Sequence, residues 1–135
     1  MEKALAGKQI LIVEDEPVFS SLLAGYLRTL GAKVLVASNG AIALQVLGRE
    51  AHIELILCDL DMPVMNGIEF VAKLTNEGIN IPVIIISATN KMAEVDEVLR
   101  LGAKDVLLKP VADLNEIKKN SAGLFTSNGF YVWCN

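Results

Sequence analysis

Gln9-Ile10-Leu11-Ile12-Val13-Glu14-Asp15-Glu16 is an almost wholly apolar run of residues followed at once by three acids. The apolar part is too short for a helix and too evenly apolar for a half-exposed strand, so it reads as a strand buried on both faces. Comparable runs follow at Lys33 to Ala37, Ile53 to Cys58, Ile81 to Ile86 and Asp105 to Leu108. Between them the apolar residues change to helical spacing. Phe19, Leu22, Leu23, Tyr26, Leu27 and Leu30 recur at steps of three and four, with Pro17 near the start and Gly31 just past the end. Further helices are predicted over Ala41 to Leu47, Ile68 to Leu74 and Met92 to Leu101, the last stopped by Gly102, with a weaker fifth beginning near Asp113. Strands joined through helices run parallel, and right-handed crossovers place helices on both faces. The expected fold is therefore α/β, a doubly wound (βα)5 parallel five-stranded sheet with strand order 2-1-3-4-5.

The 135 residues fit one compact domain, and 53% apolar content with a mean hydropathy of +0.46 is enough to offset the entropy of ordering the chain. A net charge of −4 and the absence of a basic stripe argue against broad binding to nucleic-acid phosphates. The longest apolar runs, such as Pro82-Val83-Ile84-Ile85-Ile86, fall far short of the roughly 18 to 20 residues needed to cross a bilayer. Glu2, Lys3 and Lys8 leave no apolar core for a secretory signal, so no membrane association and a cytoplasmic location are the expectations. Cys58 and Cys134 are too far apart for a metal motif, and Cys58 reads as a small core residue. His52, the only histidine, reads as a surface residue. Residues 7–122 are taken as the domain. Residues 123–135 hold Phe125, Phe130, Tyr131 and Trp133 in a segment broken by Gly129 and neighbours, and form a tail with three open readings: linker, end of the last helix, or remnant of cloning.

Functional groups in such folds gather at the C-terminal ends of the strands. Here the first strand ends in Glu14-Asp15-Glu16, the third in Asp59, the fourth in Ser87 and the fifth in Lys109-Pro110. The expected strand order brings those four exits to one rim. Taken singly, each has a plain reading: the acids could cap the next helix or a turn, Ser87 could be a loop hydroxyl, and Lys109 a solvated charge. Together they suggest chemistry. Packed carboxylates need shared protons or a cation, and an all-oxygen cluster suits Mg²⁺ or Mn²⁺. A carboxylate beside such an ion can accept a phosphoryl group as an acyl phosphate, with a lysine and a hydroxyl balancing charge on the group transferred. Asn66-Gly67 reads as a turn and helix start. Met92, Val95, Val98 and Leu99 read mostly as core, with the helix edge available to a partner.

Leu11-Ile12-Val13-Glu14-Asp15-Glu16, Cys58-Asp59-Leu60-Asp61-Met62-Pro63-Val64-Met65-Asn66-Gly67, Ile86-Ser87-Ala88 and Leu108-Lys109-Pro110 together resemble the receiver domain of bacterial two-component response regulators, a flavodoxin-like, CheY-like fold. The resemblance implies that Asp59 is the phosphoacceptor. It also implies that the metal lies with Glu14, Asp15 and Asp59, Glu14 reaching it through water and Asp61 contributing its backbone carbonyl. Ser87, Ala88 and Lys109 become the phosphoryl-binding and switch positions, Asp61 and Thr89 those that tune the lifetime of the acyl phosphate, and Pro110 the site of a cis peptide. Two departures weaken the usual aromatic switch: Val106 stands where many receivers carry Tyr or Phe, and Val111 where an aromatic often follows Lys-Pro.

Within receivers, Gly7 to Glu16, Ser87-Ala88-Thr89-Asn90-Lys91-Met92-Ala93 and Leu99 to Val111 most resemble the N-terminal domain of RssB-type regulators, which carry the stationary-phase sigma factor, sigma-S, to the ClpXP protease. Such proteins add a phosphatase-like domain that 135 residues cannot hold, which implies a fragment. The implied partners are a histidine kinase or a small phosphodonor such as acetyl phosphate, and sigma-S with ClpXP through the full-length protein. No enzymatic turnover is expected beyond self-catalysed phosphorylation and dephosphorylation of the aspartate. Two alternatives remain open at this point: a haloacid-dehalogenase-like phosphatase using Asp59 and Asp61, and the receiver of a DNA-binding transcription regulator. A flavin or nucleotide binder is disfavoured, because the first strand exit is acidic rather than glycine-rich.

Overall fold

A computed structural model describes residues 4–88 and 91–109. Five strands, β1 (Gln9–Val13), β2 (Lys33–Ala37), β3 (Leu55–Cys58), β4 (Val83–Ser87) and β5 (Asp105–Leu108), form one parallel sheet in the order β2-β1-β3-β4-β5. Four helices connect them: α1 (Pro17–Thr29), α2 (Gly40–Arg49), α3 (Gly67–Asn76) and α4 (Met92–Leu101). The chain reverses its direction of travel across the sheet after β2, so the exits of β1 and β3 lie side by side at the switch point. The expected fifth helix, the Lys109-Pro110 peptide and the tail lie outside the described residues.

Alternation along the central strands divides the core in two. Ile10, Ile12, Leu55, Leu57, Ile84 and Ile86 point to one face, where they meet Leu23, Ala24 and Leu27 of α1. Leu11, Val13, Ile56, Cys58, Val83 and Ile85 point to the other, under Ala43 and Val46 of α2, Phe70, Val71 and Leu74 of α3, and Val98 of α4. Each such side chain removed from water contributes about 1.5–3 kcal/mol, which is why these strands are apolar on both faces. Leu5 is also fully buried on the α1 side, its amide bonded to the Leu30 carbonyl.

Several expectations need correction. β3 and β4 begin two residues later than predicted, because Ile53 is buried and Pro82 lacks an amide donor, and apolar character reports burial rather than ladder pairing. α2 and α3 each start one residue earlier and end two residues later than their apolar stripes. β2 is an edge strand with Lys33 and Val36 exposed, not buried on both faces. In α4 only Val98 is buried; Met92 and Leu99 are exposed and Val95 is half-buried, so the reading of those four residues as core fails for three of them.

Candidate functional site

Backbone hydrogen bonds carry the strand ladders past their ends and set the site residues in place. The Glu14 amide donates to Ala37 O and the Asp59 amide to Val13 O, each at 2.9 Å, and the Lys109 amide donates to Ser87 O at 2.8 Å. Glu14 and Asp59 are thereby held almost wholly buried, at 4% and 7% exposure, while Asp15 is exposed. Pro17 opens α1 immediately after the acids, and Glu16 in the N-cap position makes no side-chain cap hydrogen bond. The plain capping reading of that acid therefore fails. Carboxylate oxygens of Glu14, Asp15 and Asp59 all lie within 4.8 Å of one another.

From the other side comes Lys109, whose Nζ donates to Glu14 Oε1 at 2.9 Å and reaches Asp59 Oδ2 at 3.5 Å. The same ammonium stands 4.4 Å from the centroid of the Phe19 ring. Burial pushes the Glu14 carboxyl up to about 7, the Lys109 hydrogen bond working against that rise and the Asp59 charge with it. Lys109 is pulled down by burial, but its hydrogen bond to Glu14 and the two nearby carboxylate charges outweigh this and leave it raised. Cys58, beside Asp59, is fully buried and donates its thiol to the Asp59 carbonyl; burial, then the Asp59 and Glu14 charges, hold it well above the usual thiol range. It is a core thiol, as its place in the apolar run suggested.

The loop from β3 to α3 fixes Asp59 from behind. The Gly67 amide donates to Leu60 O at 2.8 Å, and a Cβ at position 67 would stand 2.3 Å from the Asp59 carbonyl oxygen and 2.8 Å from Leu60 Cα. Only glycine fits there. Asn66 and Glu69 form a reciprocal capping box, Asn66 Oδ1 accepting from the Glu69 amide and Glu69 Oε1 from the Asn66 amide. The reading of Asn66-Gly67 as a helix start holds, but the tight turn is centred on Val64, which has φ of 69° and is closed by a Met65 N–H to Pro63 O bond.

The structure thus brings together Glu14, Asp15, Asp59 and Lys109, with Ser87 fully buried at the neighbouring strand end. Asp61 is exposed, and its carboxylate is not one of the three that converge; its amide makes a long 3.4 Å contact with Asp59 Oδ1. Ala88 is exposed, Val106 is half-buried on β5, and Thr89 and Pro110 lie outside the described residues. Sequence reasoning missed Phe19, which counted only as one of a helical stripe; Gly67 was read as backbone geometry at a helix start, but its tight approach to Asp59 has no local signal beyond the Asn-Gly pair. The direct Lys109 to Glu14 bond was missed as well.

An acid pocket with a convergent ammonium at the exits of β1, β3 and β5 can be set beside known proteins. Residues 10–121 match the response regulator receiver domain family. The chain belongs to that family. It is 49% identical over 119 residues to the Regulator of RpoS of Escherichia coli (strain K12), a match covering 88% of this chain and 35% of that protein. With the transcriptional regulatory protein MalR of Bacillus subtilis it shares 41% identity over 103 residues, 75% of this chain and 43% of that one. Thus the receiver spans about a third of the length of the RpoS regulator and under half of MalR. Among solved structures, CheY in a CheX–CheY–BeF3–Mg²⁺ complex from Borrelia burgdorferi superposes with a TM-score of 0.83 at 26% identity, covering 90% of this chain and 92% of that one. TrrA from Thermotoga maritima, crystallised with Mg²⁺ and BeF, gives 0.75 at 25% identity, with 84% and 96% covered. The haloacid-dehalogenase alternative finds no support and falls away. Among the described residues, no helix is long and apolar enough to cross a membrane.

Proposed function

We propose that Asp59 accepts the phosphoryl group. An Asp59 carboxylate oxygen attacks phosphorus as the bond from phosphorus to the donor's leaving atom breaks, an imidazole nitrogen for a phosphohistidine and an oxygen for acetyl phosphate, which leaves as acetate. The observation that carries this reading is the Lys109 ammonium lying between the buried Asp59 and Glu14 carboxylates, at 3.5 and 2.9 Å. There it can pair with the incoming phosphoryl oxygens without crossing bulk water.

The three clustered carboxylates form a hard, all-oxygen donor set that fits Mg²⁺ or Mn²⁺. Glu14, Asp15 and Asp59 would hold the ion, with the Asp61 backbone carbonyl as a further oxygen, and when bound it offsets negative charge on the acids and the phosphoryl group. Ser87 bonds the phosphoryl group once it arrives, and Ser87, Ala88 and Lys109 form the switch; Asp61 and Thr89 set how long the acyl phosphate lasts. Residues 7–122 make up the receiver, and 123–135 a tail. The chain is a signalling domain without sustained turnover on phosphomonoesters, phosphorylated by a histidine kinase or a small donor in the cytoplasm.

Intact mass after treatment with acetyl phosphate and Mg²⁺ tests the chemistry. One phosphoryl increment is expected on the wild type and none on Asp59→Asn; an increment retained by Asp59→Asn overturns the assignment. In its full-length setting the receiver serves regulated proteolysis of sigma-S through ClpXP, a reading supported by its higher identity to the Regulator of RpoS than to MalR and the larger share of this chain that the match spans. Residues 1–122 exchanged for the receiver of the E. coli regulator should restore regulated RpoS turnover. Stable RpoS in a strain that makes the chimaera would favour a transcriptional output instead.

A further inference from the structure

We infer that Phe19 is a positioning residue for the Lys109 ammonium, a role that rests on the phosphoacceptor reading above. Phe19 lies in the first turn of α1, which starts at Pro17 directly after the acids of the β1 exit, and its half-buried ring packs against the core on the α1 side. That geometry sets the ring face 4.4 Å from Lys109 Nζ. The ammonium carries three N–H groups. Glu14 Oε1 and Asp59 Oδ2 lie at 2.9 and 3.5 Å, and the Phe19 ring is a third neighbour.

The choice of an aromatic here has a physical reason. Two carboxylates already draw on the one ammonium, and a third acid would neutralise it further and compete for any divalent ion. A π face attracts the cation through its quadrupole and carries no net charge, so the ammonium keeps its positive charge for a phosphoryl oxygen while its four-carbon stem is held at the pocket. Without the ring, the ammonium is held only by the Glu14 hydrogen bond and the longer Asp59 contact.

The test compares the wild type with Phe19→Tyr, Phe19→Leu and Phe19→Met in the 135-residue chain. The first readout is the NMR signal of the Lys109 ammonium, without donor or metal. Phe19→Tyr should keep a slowly exchanging, ring-shifted signal, and the Leu and Met variants should lose it. The second is the saturation kinetics of phosphorylation by acetyl phosphate. The maximal rate should fall about three- to tenfold in Leu and Met, which corresponds to the usual strength of a cation–π contact, and stay within about twofold of wild type in Tyr. A packing role would instead leave Leu nearest to wild type. Lys109 signals alike in all variants, or equal rates in Leu and wild type, overturn the inference. Failure of the wild type to take phosphate on Asp59 would sink the phosphoacceptor reading, while the ammonium signal still decides the role of Phe19.

Discussion

Helices α3 and α4 each follow a strand that delivers a site residue, Asp59 from β3 and Ser87 from β4, yet they are fastened in different ways. α3 starts with the Asn66/Glu69 capping box and buries Gly67, Phe70, Val71 and Leu74. α4 starts at Met92, with Lys91 in the N-cap position making no side-chain cap hydrogen bond, and buries Val98 alone. Its far end is the one that is tied: Thr75 Oγ1 donates to Leu101 O at 2.6 Å, the Ala103 amide bonds to Val98 O and the Lys104 amide to Val83 O. So α3 is rigid at the end that touches the pocket, and α4 is anchored at the end away from it. A helix held in that way can move at its start for less energy than α3, because among the described residues no side-chain cap hydrogen bond must be broken there. On the proposed reading α3 holds Asp59 still while α4 responds to what happens there, which suits a chain with Val106 in place of a rotating aromatic.

The largest effect should come from breaking α3's hold on the pocket. Gly67→Ala drives a Cβ into the Asp59 carbonyl and Leu60 backbone and should lower stability by about 3 kcal/mol or more, with loss of phosphorylation, in urea melts and mass assays. Gly102→Ala at the end of α4 meets only Thr75 Oγ1 at 3.2 Å and a φ of 125°, and should cost about 1–2 kcal/mol with phosphorylation kept. Equal losses would erase the distinction between the helices.

A smaller effect follows from exchanging the caps. Asn66→Ala removes α3's cap and should cost about 1 kcal/mol. Lys91→Ser gives α4 a Ser three residues before Glu94, a capping box it now lacks, and should add about 0.5–1 kcal/mol while damping the movement of α4. A Lys91→Ser variant that switches as fully as wild type would show that the open start of α4 is irrelevant.

A separate effect, set by the rise at Glu14, is a pH slope. Burial raises the Glu14 carboxyl from its ordinary 4.5 to about 7 in the fold, so the folded state binds the extra proton between those values. Its contribution is fully present below about pH 4.5 and is lost as pH rises through 7. Without a divalent ion, thermal melts should therefore show stability falling between pH 5 and 7.5 relative to Glu14→Gln, and millimolar Mg²⁺ should flatten the difference. A flat profile between pH 5 and 7.5, with stability instead rising with pH below about 4.5, would show that the Lys109 bond outweighs burial at Glu14.

Much of this was legible in the sequence because strand burial and strand ends follow simple rules. β1, β2, β5 and α4 have the bounds that apolar runs and glycine stops indicated, and the 2-1-3-4-5 order places the exits of β1, β3 and β5 at one rim. Less legible was whatever depends on distance across the fold. Met92 and Leu99 have helical spacing but are exposed, so spacing predicted a burial that the described residues do not provide. Phe19 lies far from Lys109 in sequence, and the steric demand at Gly67 arises only after the β3 to α3 loop has folded back over Asp59.

The central claim is tested most directly by amide chemical shifts recorded with Mg²⁺ before and after addition of beryllofluoride, in wild type and Ser87→Ala. The account predicts changes concentrated at Ser87 and along residues 91–101, small changes over residues 68–76, and a weakened α4 response in Ser87→Ala. Shifts in α3 as large as those in α4, or an α4 response unaltered by loss of the Ser87 hydroxyl, would contradict it.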